Sequence, residues 1–98
     1  LRGEEVFPHL IVATGSNDAS YGTVIISKAA DSMLSMSEIE ASFVIAHNPQ
    51  GSISISARSR SKINVQKIME QMGGGGHFNS AASQVTDMSI DQVRSRLE

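Results

Sequence analysis

Residues 56–77 read SARSRSKINVQKIMEQMGGGGH, and two features in this stretch could hold an anion. Arg58 ends an alternating run, and four glycines, Gly73 to Gly76, precede His77. An arginine guanidinium is a planar fork that can grip a phosphate through two parallel hydrogen bonds. Residues without a Cβ let a phosphate or sugar come close to main-chain amides. A histidine next to them can donate to a phosphate oxygen, whether charged or neutral. Helix termination accounts for part of the run, because Gly at C′ adopts the left-handed conformation of a Schellman turn. That explains one glycine, or two, and each further one costs about 1 kcal/mol against alanine. The remainder predicts backbone laid open to a ligand.

Other chemistries do not fit. A Walker A loop needs Gly-Lys-Ser/Thr where His77-Phe78 stands, and a dinucleotide fingerprint begun at Gly73 would need glycine at the position of Phe78. His9, His47 and His77 form neither HxH nor HExxH, so no metal site is expected. There is no Gly-x-Ser-x-Gly elbow. No Asp or Glu lies between Ala41 and Met69, while Arg58, Arg60, Lys62 and Lys67 all do. Arg60 and Lys62 are read as solvated. Arg58 differs, since open α/β sheets tend to place ligands at strand C-termini. The residues alone describe a phosphate-ester binding domain with no catalytic residue or cofactor of its own.

The 98 residues suffice for one domain, and 40% hydrophobic with 18% charged is ordinary globular composition. A net charge of −2 argues against long nucleic acid held by bulk electrostatics. The lack of cysteine and of a long apolar run fits a cytoplasmic domain. The first residue is Leu1, and the chain reads as a piece of a longer protein.

Local signals give the elements that must position these groups. Residues 1–8 read as a linker from a missing upstream domain, with Gly3 and Pro8 as breakers, and 9–98 as the domain. His9–Thr14 is a strand candidate, and Gly15 to Asp18 is turn and N-cap chemistry before a helix over Ala19–Met36, apolar on more than one side. Glu40–His47 and Ser52–Arg58 form a hairpin around Asn48-Pro49-Gln50-Gly51, a type I turn. Along the second strand Ile53, Ile55 and Ala57 alternate with Ser54, Ser56 and Arg58. Asn64 caps a helix over Val65–Met72, and Asn79–Thr86 is a strand of small residues. Ser89 and Gln92 form a capping box, with Met88 and Val93 as its staple. The fold class is α/β, a mixed sheet of about four to five strands with helices packed against it.

The Ser56-Ala57-Arg58-Ser59 block, the Ile63-Asn64-Val65 helix start, Gly73 to His77 and Ala81-Ala82 together resemble the DHHA1 domain, the C-terminal substrate-binding half of DHH-family phosphoesterases. With Ala29-Ala30-Asp31, they look most like the membrane-anchored bacterial phosphodiesterases that hydrolyse cyclic di-AMP. The resemblance implies that Arg58, Gly73, Gly74, Gly75, Gly76 and His77 contact phosphate, with Ser59 and Asn64 at matching flanking positions. It further implies a DHH domain in the same chain holding two manganese ions. The Asp-His-His tripeptide is absent here, so this piece is expected to be inactive alone. The implied function is the nucleotide-clamping lobe of an enzyme converting cyclic di-AMP to linear pApA. The alternatives are the same lobe of an oligoribonuclease or single-strand exonuclease, or a non-catalytic RNA-binding appendage as in alanyl-tRNA synthetase. The expected ligand is a cyclic or short linear dinucleotide, a homodimer is left open, and the full-length protein is expected to be membrane-anchored with this domain in the cytoplasm.

Overall fold

The computed structural model describes residues 2–7, 9–16, 18–36, 38–60 and 62–97, the first of these ranges by its backbone pairing alone. Among them, strands β1 (Arg2–Phe7) and β2 (Leu10–Thr14) precede helix α1 (Thr23–Leu34). Then come β3 (Ala41–His47), β4 (Ile53–Ser59), α2 (Val65–Gln71), β5 (Gly75–His77), β6 (Ser80–Val85) and α3 (Ile90–Leu97). They build a six-stranded mixed sheet in the order β1-β2-β3-β4-β6-β5, in which only the β2–β3 pair is parallel. The sequence reading places four of these strands, and the two it does not place are the edges. Residues 2–7, read as linker, pair antiparallel with β2, and part of the glycine run pairs antiparallel with β6. The breaker Pro8 and the capping candidate Asn17 lie outside the described residues.

Helices cover the sheet on both sides. Val65 and Met69 of α2, with Ile90 and Val93 of α3, pack against Phe43, Ile45, Ile53 and Ile55. On the other face Ile26, Ala30 and Met33 of α1 meet Ile11, Ala13, Val44 and Ala46. Small residues on that second face let the helix approach closely, and Ser42 Oγ, fully buried, donates to the Ala30 carbonyl at 2.7 Å. The alternation in β4 therefore does not separate core from solvent, since Ser54 and Ser56 are each only 4% exposed.

Local signals end most elements as expected. The Asn64 carboxamide oxygen accepts from Lys67 N at 3.1 Å. Ser89 and Gln92 exchange bonds of 2.8 and 3.1 Å, the reciprocal capping box. α1 departs from expectation. Its N-cap is Gly22, in extended conformation and without a side-chain cap, and it begins four residues after Ala19 because the chain at Ser20 and Tyr21 is held against β3. There Gly15 N bonds to the Ile45 carbonyl at 2.9 Å and Tyr21 N to the His47 carbonyl at 2.8 Å. It also packs on one side only, leaving Val24 and Ile25 exposed.

The hairpin turn has the expected bond from Gly51 N to the Asn48 carbonyl, 3.2 Å. Asn48 is 3% exposed; its amide donates to Ser52 Oγ and Ser54 Oγ, and its oxygen accepts from Gln50 N and Ser52 N. Asn48→Ala strands these partners, and net hydrogen-bond values predict a loss of about 3 kcal/mol. In urea titration the midpoint should fall at constant slope.

Candidate functional site

Strand pairing lines the candidate residues up in rows at the β5 edge of the sheet. Arg58 pairs with Ser80, and Ser80 with His77. One row further along, Ser56 pairs with Ala82, and Ala82 with Gly75. Cross-strand partners share a face, so Arg58, Ser80 and His77 point to the side that carries α1. Two strand spacings put the Arg58 and His77 backbones about 10 Å apart. α1 does not reach β6: Ser80, Ala82 and Gln84 are exposed there, while Ala81 and Ser83 are buried on the other side.

One edge of α1 borders this open surface. Thr23, Ser27 and Asp31 form a stripe at i, i+4 and i+8, facing Ser54, Ser56 and Arg58 at i, i+2 and i+4. Four helical residues rise about 6 Å and two strand residues about 6.7 Å, so the stripes keep step. Ser27 Oγ lies 3.4 Å from Ser56 Oγ, and Arg58 Nε donates to Asp31 Oδ1 at 2.8 Å. Where the first rungs part, a cleft of about 260 Å³ opens, lined by Thr23, Ser27, Ser54, Ser56, Gly74 and Gln84 among others. No charged side chain lines it.

The guanidinium of Arg58 is therefore partly committed. Its side chain is 15% exposed, with Nε on Asp31 and Nη1 donating to the Ala57 carbonyl at 2.9 Å and, more weakly, to the Ala81 carbonyl at 3.5 Å. Nη2 has no hydrogen-bond partner among the described residues. The His77 ring is exposed and likewise makes no hydrogen bond among them.

The four glycines separate into different roles. Gly73, at φ +84°, is the C′ residue of a Schellman motif: its N–H bonds to the Glu70 carbonyl at 3.1 Å and that of Gly74 to the Met69 carbonyl at 2.8 Å. A Cβ on Gly74 would lie 2.1 Å from the Ala82 carbonyl oxygen, and one on Gly76, at φ +144°, 2.6 Å from Ala81 Cα. Both are needed for the chain to lie against β6. Gly75 alone has neither a positive φ nor any atom within 4 Å of where its Cβ would be. Gly73 thus serves the helix end, as expected for one glycine of the run; Gly74 and Gly76 are also required by packing, and Gly75 by neither backbone nor packing.

Ser59 and Asn64 are not brought to this face. Ser59 is buried, its hydroxyl donating to the Ile63 carbonyl at 2.6 Å and accepting from the Asn79 amide at 2.8 Å. The Asn64 oxygen is occupied in capping α2. Arg60, read as solvated, is tied down: Nε donates to the Ile39 carbonyl at 2.7 Å and Nη2 to the Leu34 carbonyl at 2.6 Å, at the C-terminal end of α1. Asp31 and the β6 face were missed as site components. The polar i, i+4, i+8 stripe was visible in the sequence, but the strand it faces was not.

Among the described residues no group of three or more His, Asp or Glu converges to hold a metal ion. Among the same residues no helix is long and apolar enough to cross a membrane.

The chain is 51% identical over 88 residues to the cyclic-di-AMP phosphodiesterase PdeA of Listeria monocytogenes, covering 90% of this chain and 13% of that protein. It is 45% identical over 89 residues to the cyclic-di-AMP phosphodiesterase GdpP of Bacillus subtilis, covering 90% and 14%. It therefore spans about a seventh of these relatives. A pGpG-specific phosphodiesterase, PggH from Vibrio cholerae, has the same fold over 97% of this chain and 33% of its own, with a TM-score of 0.66 at 19% identity. The DHHA1 domain model matches residues 8–98. That match covers nearly the whole sequence, and the chain belongs to the DHHA1 domain family.

Proposed function

We propose that this chain is the nucleotide-holding domain of a manganese-dependent phosphodiesterase that converts cyclic di-AMP to linear pApA. The observation that carries it is the Arg58–Ser80–His77 row beside Gly75 on an uncovered sheet face. The similarity to cyclic-di-AMP phosphodiesterases supports the choice of ligand. Arg58 and His77 supply donors to the phosphodiester, and Gly75 lets it approach the backbone. The neutral hydroxyl-lined cleft one strand-step away takes sugar or base, because nothing there would hold a second negative charge. The manganese ions and the attacking water belong to a DHH domain of the same polypeptide, so this domain alone binds weakly and does not turn over. The whole protein is membrane-anchored and presents the domain to the cytoplasm.

The test is hydrolysis by the full-length protein with manganese, offered cyclic di-AMP, pApA and long single-stranded RNA or DNA. Cyclic di-AMP should be the preferred substrate. Preference for long strands would replace the proposal with the exonuclease reading. In the same protein, His77→Ala removes an exposed side chain without a hydrogen bond, so the melting temperature should hold while kcat/KM falls. The loss expected for one charge-stabilising donor is about 100-fold. A collapsed melt would make His77 structural instead.

A further inference from the structure

Asp31 is an exposed carboxylate on α1, outside the sheet platform, yet it forms the one ion pair found among the described residues, with the arginine of the phosphate row. We infer that Asp31 is a positioning residue that holds the Arg58 guanidinium by its Nε edge and leaves Nη2 for the phosphodiester. This rests on the proposed function, and deepens it.

The geometry is specific. Asp31 Oδ1 takes Nε at 2.8 Å, the Ala57 carbonyl takes Nη1 at 2.9 Å, and the Ala81 carbonyl adds a weak contact at 3.5 Å. The backbone acceptors alone hold only Nη1, about which a long side chain still pivots. The carboxylate fixes a second point, and with the covalent attachment at Cδ as a third the plane of the group is set. An arginine arranged before the ligand arrives loses less side-chain freedom on binding. Asp31 comes from a different element and is carried to the strand end by the matched stripes of α1 and β4. Ser27 and Ser56 form the preceding rung.

A carboxylate near a phosphate site also repels the ligand, so two effects compete. The Asp31 side chain is 63% exposed, and solvent screens that repulsion strongly. Orientation, which solvent does not screen, is the stronger effect. Since the phosphodiester is charged in substrate and transition state alike, the benefit falls on KM and leaves kcat nearly unchanged.

The experiment measures KM and kcat for cyclic di-AMP in the full-length protein carrying Asp31→Ala, Asp31→Asn, Arg58→Ala or Asp31→Ala with Arg58→Ala. Asp31→Ala should raise KM about fivefold, in line with coupling between directly contacting residues. Asp31→Asn retains an oxygen for Nε–H without the charge, and should return KM to within about twofold of the parent. On the Arg58→Ala background, Asp31→Ala should add nothing. A lower KM in both Asp31 variants would show that repulsion dominates and overturn the inference. So would Asn failing to rescue, or a penalty that persists without Arg58. If Arg58→Ala itself leaves KM and kcat unchanged, the proposed function loses its arginine, and the inference falls with it. Arg58→Ala impaired with Asp31→Ala unchanged overturns the inference alone.

Discussion

Gly74→Ala is expected to cost the fold about 3 kcal/mol, the upper range for forcing extra atoms into a packed contact. The added Cβ would lie 2.1 Å from a backbone oxygen and 2.7 Å from Ser83 Cα, neither of which can swing aside like a side-chain tip. Relief requires the turn to lift off β6. That would strain the bond from Ser83 Oγ to the Met72 carbonyl, 2.7 Å, and the Schellman bond from Gly74 N. Gly76→Ala should cost a similar amount, because its φ of +144° and its 2.6 Å approach to Ala81 Cα act together. Gly73→Ala has open space and pays only for the left-handed backbone, about 1 kcal/mol. Denaturant midpoints of the three variants should fall in that order, with Gly73→Ala the mildest. Equal, small losses at all three would mean that the turn is not held against β6.

The difference between these glycines marks where sequence reasoning runs out. Gly73 was legible because a C′ glycine is dictated by its own helix. Gly74 and Gly76 answer to β6, whose closeness no local pattern announces. The same division holds elsewhere. The Asn48–Gly51 turn, the Asn64 cap and the Ser89–Gln92 box are satisfied within a few residues and were all readable. The α1 start was not, since Gly15, Ser20 and Tyr21 pair with β3 where the cap-like residues suggest a helix. The edge strand β5 was hidden for a related reason: glycines have poor strand propensity, and their pairing is visible only from the partner.

The site followed the same pattern. Arg58 and His77 were nominated by residue type, and register places them in one row. Ser59 was nominated by its flanking position in the family motif, but adjacent strand residues face opposite ways, so it does not share the Arg58 face. Its hydroxyl serves the connection into α2 instead. Asp31 was part of a recognised sequence block without a chemical role. Only the fold sets it 2.8 Å from Arg58 Nε.

Gly75→Ala should behave unlike its neighbours: stability within about 0.5 kcal/mol of the parent, as for surface changes away from special geometry, and a KM for cyclic di-AMP raised about tenfold in the full-length protein. Its φ lies outside the left-handed region and the space around its absent Cβ is empty, so folding does not require glycine here. Pairing puts it beside Ala82, in one row with Ala82 and Ser56, on the face where Arg58 and His77 point. A methyl group there stands where a phosphate or ribose would meet the main chain, and the loss of that close approach underlies a tenfold effect, equivalent to about 1.4 kcal/mol. Stability and binding therefore separate along four consecutive residues: Gly74→Ala damages the fold, and Gly75→Ala spares it while damaging the site. Gly75→Ala with unchanged KM would reduce the whole run to turn and edge-strand geometry, leaving Arg58 and His77 to hold the phosphate without it.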